Sequence, residues 1–115
     1  MIKRVSILTR KPSFTPESFA KHWLEIHGPL ARKVPGIRRY VQNHITEATR
    51  HPDLPPSSQQ VDGVVEMWFD DRETMEKALG SPEARTMSDD GTLFIQTVTS
   101  FVVDPKVIIG DQRRD

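Results

Sequence analysis

The chain contains four strand-like runs and two helical patterns, and the order in which they follow one another limits the possible folds more than any other feature. The runs are short and rich in valine, isoleucine and phenylalanine, and polar, glycine or proline residues follow them, as in strands. They cover residues 2–9, 37–46, 63–69 and 94–103. With one helix after the first run and another after the third, the order β-α-β-β-α-β predicts a ferredoxin-like α+β fold.

The first helix is predicted to begin at Thr15-Pro16-Glu17, where a hydroxyl N-cap precedes a proline at the first helical position and an acid. Its expected apolar stripe, spaced as on an α-helix, contains Phe19, Trp23, Ile26 and Leu30. Gly28-Pro29 interrupts this stripe, because proline cannot donate a backbone hydrogen bond and crowds the preceding turn. We therefore expect the helix to bend or restart near His27.

The second helix is predicted from Asp70 and Glu73, which are spaced as a capping box. Gly80 predicts its end, and Ser81-Pro82-Glu83 predicts one further short helical piece. The whole pattern predicts one domain over residues 1–103, followed by a polar C-terminal tail over residues 104–115.

Charge and composition exclude several kinds of partner. The 115 residues include 16 acidic and 16 basic side chains, so the chain lacks the net positive charge typical of nucleic-acid or anionic-membrane binding. There is no cysteine, hence no disulfide and no thiolate ligand. No apolar run approaches the length of about 20 residues that a membrane helix needs. We predict a cytoplasmic protein with no nucleic-acid or membrane partner.

One face of the predicted sheet has no helix to cover it. Both helices of a β-α-β-β-α-β unit lie on the same side, which leaves the opposite face open. On one of the two possible strand parities, that face carries Val41, Ile45, Val64 and Trp68. Because an apolar face of this kind is rarely left in water, a homodimer that packs sheet against sheet is predicted.

Histidine and tyrosine side chains are the candidates for chemistry. His22 and His27 lie five residues apart, so on an α-helix they flank the stripe on opposite sides and do not form a metal-binding pair; His22 is expected to be solvated. His27 either caps the end of its own helix or reaches the space that the bend opens. Tyr40 and His44 share a strand face and could converge on one cavity for proton transfer, or could each be satisfied by local hydrogen bonds.

Three segments resemble the EthD family: FAKHWLEIHGPL at residues 19–30, PGIRRYVQNH at residues 35–44 and DGVVEMWF at residues 62–69. This resemblance covers roughly residues 2–103. It implies a dimeric α+β barrel related to the muconolactone-type isomerases. Relatives that isomerise methylmuconolactones use a helix histidine and a strand tyrosine, which match His27 and Tyr40.

The same resemblance implies further positions in the pocket. A loop histidine of those relatives falls near His51, and their pocket cysteine falls at Met67, which cannot act as an acid or a nucleophile. Methylmuconolactone isomerisation by the same route is therefore not expected. The match also implies that Met67 lies in the pocket while Glu66 and Trp68 face the dimer interface.

The leading hypothesis is a cofactor-independent enzyme that moves protons on a small cyclic or aromatic substrate by isomerisation, dehydration, decarboxylation or lactone chemistry. The expected catalytic residues are His27, His44 and Tyr40, and no metal or cofactor is expected. The polar loop at residues 47–62 would act as a lid. The expected substrate-binding residues are Trp23, Gln42, His51, Val65, Met67, Phe69 and Phe94. Two alternatives stay open, namely a cofactor-free monooxygenase and a non-catalytic carrier of small molecules.

Overall fold

Residues 1–110 of the chain are described by a computed structural model, in which one four-stranded sheet carries all its helices on one face. The strands lie in the order β2-β3-β1-β4, and each neighbouring pair is antiparallel. Their bounds are β1 (Ile2–Arg10), β2 (Arg39–His44), β3 (Gly63–Phe69) and β4 (Ile95–Val103). The predicted ferredoxin-like α+β fold is confirmed.

The helices fall into two groups that follow β1 and β3. The first comprises α1 (Pro16–His22), a π-helical segment (Trp23–His27) and α2 (Gly28–Arg32); the second comprises α3 (Arg72–Leu79) and α4 (Pro82–Phe94). Over residues 1–110, none of them is long and apolar enough to cross a membrane. Residues 104–110 of the predicted tail have no regular structure and include the exposed Val107, Ile108 and Ile109, while residues 111–115 lie outside the described part.

The π-helical segment changes which side chains of the first helical group face the sheet. Its hydrogen bonds run five residues back, as from the Gly28 N–H to the Trp23 carbonyl, so the helix turns less per residue here. The predicted stripe is consequently wrong at one position: Ile26 is 51% exposed, whereas His27 is only 8% exposed. The predicted break near Gly28-Pro29 takes the form of this π-helical segment rather than a sharp bend.

Two further predictions about the second helical group are corrected. The side chain that caps α3 is Asp71, which accepts from the Thr74 N–H at 2.7 Å, because Asp70 instead pairs with Arg38 at 2.9 Å. The short helical piece after Ser81 is a helix of 13 residues, and Phe94 ends it instead of starting β4. Asp89, Asp90 and Gly91 therefore belong to a helix.

Side chains alternate across the sheet as the sequence predicts. Val65, Met67 and Phe69 of β3 are buried beneath the helices, whereas Glu66 and Trp68 point to the opposite face. Trp68 lies between two cations there, with Lys3 Nζ 4.8 Å and the Arg39 guanidinium 5.2 Å from its ring centre. No helix of residues 1–110 covers this outer face.

Gly63 is a position where the fold depends on the lack of a side chain. A Cβ atom there would lie 2.6 Å from two ring carbons of the fully buried Trp23. Gly63→Ala is therefore expected to lower the free energy of unfolding by about 1–3 kcal/mol through overpacking, measurable by urea denaturation.

Gly91→Ala is the matched control for that substitution. A Cβ at Gly91 would make only ordinary contacts, at 3.6 Å from Ile95 and 3.8 Å from His27. Since glycine within a helix is less stable than alanine by roughly 0.5–1 kcal/mol, this variant should gain stability. Equal losses in the two variants would contradict the close packing of Trp23 on Gly63.

Candidate functional site

A cavity of about 440 Å³ lies between the inner face of the sheet, the π-helical segment and α4. This volume is within the range of roughly 300–1,000 Å³ typical of pockets for small molecules. Its walls combine apolar side chains with a few polar ones. The lining residues used below are Arg4, Ser6, Trp23, His27, Tyr40 and Met67.

His27 enters this cavity with one ring nitrogen already bonded. Its Nδ1 lies 2.8 Å from Oδ2 of Asp90, and both side chains are 10% exposed. Because carboxylate oxygens accept hydrogen bonds, this contact favours the tautomer of His27 that carries its proton on Nδ1. Nε2 has no partner among residues 1–110 and is free to bind a ligand. The arrangement resembles the carboxylate–histidine pair in which the acid fixes the tautomer of a general base.

His22 shares the same carboxylate, since its Nε2 lies 3.0 Å from Oδ1 of Asp90. The expectation of a solvated His22 on the opposite flank is therefore wrong. Residues five apart come close together where the backbone hydrogen bonds span five residues, as they do at the π-helical segment. His22 also packs against Phe94, with ring centres 4.5 Å apart, and it does not line the cavity.

Burial sets the charge states of the two polar groups in the cavity. Desolvation lowers the pKa of His27 below its ordinary value; the hydrogen bond and charge of Asp90 partly oppose this, and the charge of His22 adds to it. Desolvation also raises the pKa of Tyr40, against the effect of hydrogen bonds with Gln42 and Trp23. At neutral pH the site thus presents a neutral imidazole, which can accept a proton, and a phenol, which can donate a hydrogen bond.

Gln42 links Tyr40 to the helix and to His44. Its Nε2 donates to the Trp23 carbonyl at 2.8 Å and to the Tyr40 hydroxyl at 3.3 Å, and its Oε1 lies 2.8 Å from His44 Nε2. His44 also stacks on the indole of Trp23 with ring centres 4.5 Å apart. These bonds hold Tyr40 in place and use the carbonyl that the π-helical segment shifts out of its normal register.

The structure brings only some of the predicted site residues together. His27, Tyr40, Trp23, Val65 and Met67 line the cavity. His44 and Gln42 instead line a neighbouring groove on the other side of Tyr40, so the expected convergence of His44 with His27 on one cavity is not observed. Their roles in catalysis and binding stay predictions.

Three other predicted binding residues lie outside the cavity lining. Phe69 is fully buried in the core, and Phe94 packs behind His27 with ring centres 5.2 Å apart. His51 lies on the exposed loop, where its Nδ1 accepts from the Asp53 N–H at 3.1 Å. No residue of 47–62 lines the cavity of its own chain, so a lid role for this loop stays a prediction.

The sequence reasoning missed several residues of the site, among them Asp90 and Arg4. Asp-Gly is a common turn signal, and Asp90-Gly91 hid the helix to which Asp90 belongs. The spacing of the buried Ala84, Met87 and Phe94 would have revealed that helix. Within residues 1–110, no cluster of three histidine or acidic side chains is placed to hold a metal ion.

Comparison with known protein families identifies the family of the chain. Residues 11–97 match the EthD domain. The chain belongs to the EthD family. No curated protein matches this chain.

Solved structures of other proteins have the same fold as this EthD protein. An EthD family protein of Bacillus halodurans is 23% identical, with a TM-score of 0.72 over 92% of this chain and 100% of that chain. A cofactor-independent oxygenase of Streptomyces nogalater is 13% identical, with a TM-score of 0.63 over 96% and 97%. A dimeric ferredoxin-like protein of Thermobifida fusca is 13% identical, with a TM-score of 0.65 over 89% and 88%.

Proposed function

We propose that this EthD protein is a cofactor-independent enzyme that transfers a proton on a small cyclic or aromatic substrate bound in the 440 Å³ cavity. The observation that carries the proposal is the His27–Asp90 pair, joined at 2.8 Å on the wall of the cavity that also contains Tyr40. A neutral base and a protonated phenol in a mostly apolar space are what the abstraction of a proton next to a carbonyl requires.

In this reaction His27 Nε2 takes a proton from a substrate carbon that adjoins a carbonyl group. The electron pair of the broken C–H bond moves to the carbonyl oxygen and forms an enolate, to which the Tyr40 hydroxyl donates a hydrogen bond. The Asp90 carboxylate stabilises the imidazolium that results. Return of the proton to another substrate atom completes an isomerisation, and departure of a leaving group completes an elimination.

Tyr40→Phe tests this role because it keeps the ring and removes the hydroxyl alone. Loss of one hydrogen-bond donor to an oxyanion typically costs about 10²–10³-fold in rate, and we expect a loss of that order. The measurement is deuterium incorporation from D₂O into enolisable lactones and cyclic ketones, followed by NMR. Unchanged exchange in Tyr40→Phe would contradict the proposal, as would the lack of any exchange in the wild-type protein across the panel.

We also propose that the protein is a homodimer joined through its outer sheet face, since no helix of residues 1–110 covers the half-buried Trp68 and the exposed Phe101 there and the Thermobifida fusca relative is dimeric. Trp68→Arg would set a third cation beside Lys3 and Arg39. We expect the dissociation constant of the dimer to rise by about 30-fold or more, as for a central aromatic contact worth about 2 kcal/mol.

Analytical ultracentrifugation would measure this change. Leu93→Arg, an equivalent exchange at an exposed position of α4, is the control and should leave the dimer intact. A wild-type monomer at micromolar concentration, or a Trp68→Arg variant that dimerises normally, would contradict the interface.

A cofactor-free monooxygenase is the second candidate, because the Streptomyces nogalater oxygenase has the same fold. His27 would then take a proton from a phenol, and the resulting electron-rich ring would react with oxygen. Oxygen consumption with dihydroxyaromatic substrates separates this reaction from isomerisation. Tight binding without turnover of either substrate class would support the third alternative, a carrier.

A further inference from the structure

Arg4 is a cation without a partner on the wall of the cavity. It lies on β1 with its side chain half-buried on the inner face of the sheet. Among residues 1–110, no carboxylate lies within 4.0 Å of its guanidinium, and no hydrogen bond holds it. Arg10, the other half-buried arginine of the same strand, does have an acidic partner in Asp62.

A guanidinium stays charged and loses part of its hydration where it is covered, so a partner of opposite charge would stabilise it. Burial lowers the pKa of Arg4, and no neighbouring acid offsets that effect. A bound anion would supply the missing partner. Arginine suits a carboxylate in particular, since its planar fork donates two parallel hydrogen bonds.

The sheet register fixes where such an anion would lie relative to the proposed chemistry. Met67 pairs with Tyr40 on one side and with Arg4 on the other, so the three form one row on the inner face. Two strand spacings separate the backbones of Tyr40 and Arg4 by roughly 9–10 Å. One small ring system above Met67 could therefore be contacted at one end by Arg4 and at the other by Tyr40.

Two hydroxyls extend the polar end of this wall. Ser6 and Ser100 occupy the next row of the sheet on the same face and are hydrogen-bonded to each other at 2.8 Å. Among the described residues that line the cavity, Arg4 alone has a fixed charge. A single positive charge with two hydroxyls beside apolar walls matches a monoanion better than a phosphate dianion.

We propose that the cavity selects small cyclic or aromatic carboxylic acids, with the substrate carboxylate paired to Arg4 and the ring above Met67. This inference rests on the proposed function only in one respect, namely that the reacting end of the substrate lies at His27 and Tyr40 and the carboxylate lies at Arg4. The selection of an acid over a neutral molecule is a separate property, which binding alone can reveal.

The test compares 2-naphthoate with 2-naphthamide, which have the same shape but differ in charge, by isothermal titration calorimetry with the full chain. We expect the wild-type protein to bind the acid at least tenfold more tightly than the amide. Arg4→Met should reduce that ratio to less than twofold while leaving the affinity for the amide unchanged. Arg85→Met, an equal loss of charge at an exposed position of α4, should keep the wild-type ratio.

Equal affinities in the wild-type protein, binding of neither probe, or a preference for the acid that survives in Arg4→Met would each overturn the inference. Arg4→Lys checks that any loss is due to charge recognition, because it should keep part of the preference without the paired hydrogen bonds. Selective binding of the acid without any proton exchange would sustain the role of Arg4 and would contradict only the proposed function.

Discussion

Replacement of His27 by alanine is expected to lower turnover by about 10²–10⁴-fold, the usual contribution of one general base. The expectation rests on position, because Nδ1 is bonded to Asp90 while Nε2 has no partner and the ring lines the cavity. The binding of ligands should change much less than the rate, since the apolar walls remain. Steady-state kinetics on any substrate found by deuterium exchange would measure the two effects separately.

Glu25→Ala is the control for this variant. It removes an exposed side chain from the same π-helical segment that does not line the cavity, so the rate should stay within about twofold of wild type. Full activity in His27→Ala, with its fold shown to be intact by circular dichroism, would exclude His27 as the base. In that case His27 would have only a structural role, as the hydrogen-bond partner of the buried Asp90 carboxylate.

The second large effect is expected for Asp90→Asn. An asparagine amide can donate to Nδ1 of His27, which would move the ring proton to Nε2 and block the atom that must accept a proton. We therefore expect a rate loss of about 10²–10⁴-fold, as for the wrong tautomer in other carboxylate–histidine pairs. Asp90 acts through His27, so it is a positioning residue and not a catalytic one.

A measurement other than the rate distinguishes a role of Asp90 in positioning His27 from a general loss of structure in the variant. Since the hydrogen bond and charge of Asp90 raise the pKa of His27, that pKa should fall further in Asp90→Asn. Asp89→Asn is the matched control, because Asp89 is exposed and pairs with Arg85 on the surface of α4. A lower rate in Asp90→Asn with the tautomer and pKa of His27 unchanged would contradict this role.

The sequence was sufficient to predict the sheet, because its signals are local. The alternation in β3 correctly assigned Met67 and Trp68 to opposite faces, and hydroxyl and proline signals correctly located the start of α1. Element order then predicted the topology. His27 and Tyr40, the two residues that the resemblance to the EthD family implies for the pocket, both line the cavity, and their catalytic roles stay predictions.

The errors arose where the backbone departs from regular periodicity or where distant segments meet. Apolar spacing assumes an α-helix, so it assigned Ile26 to the core and separated His22 from His27, whereas the π-helical segment reverses both assignments. Asp90 is 63 residues from His27 along the chain, and no local pattern joins them. The lack of an acidic partner for Arg4 likewise depends on the tertiary positions of the acidic residues, which no local pattern predicts.

The protonation state of the His27 ring tests the proposed role of His27 as a base most directly, because its measurement needs no substrate. An NMR titration of nitrogen-labelled protein between about pH 5 and pH 8 would report both the tautomer and the pKa. We predict a proton on Nδ1, a neutral ring at pH 7 and a pKa of His27 below the ordinary value of 6.5. A proton on Nε2, or a pKa at or above 6.5, would contradict the proposed role of His27.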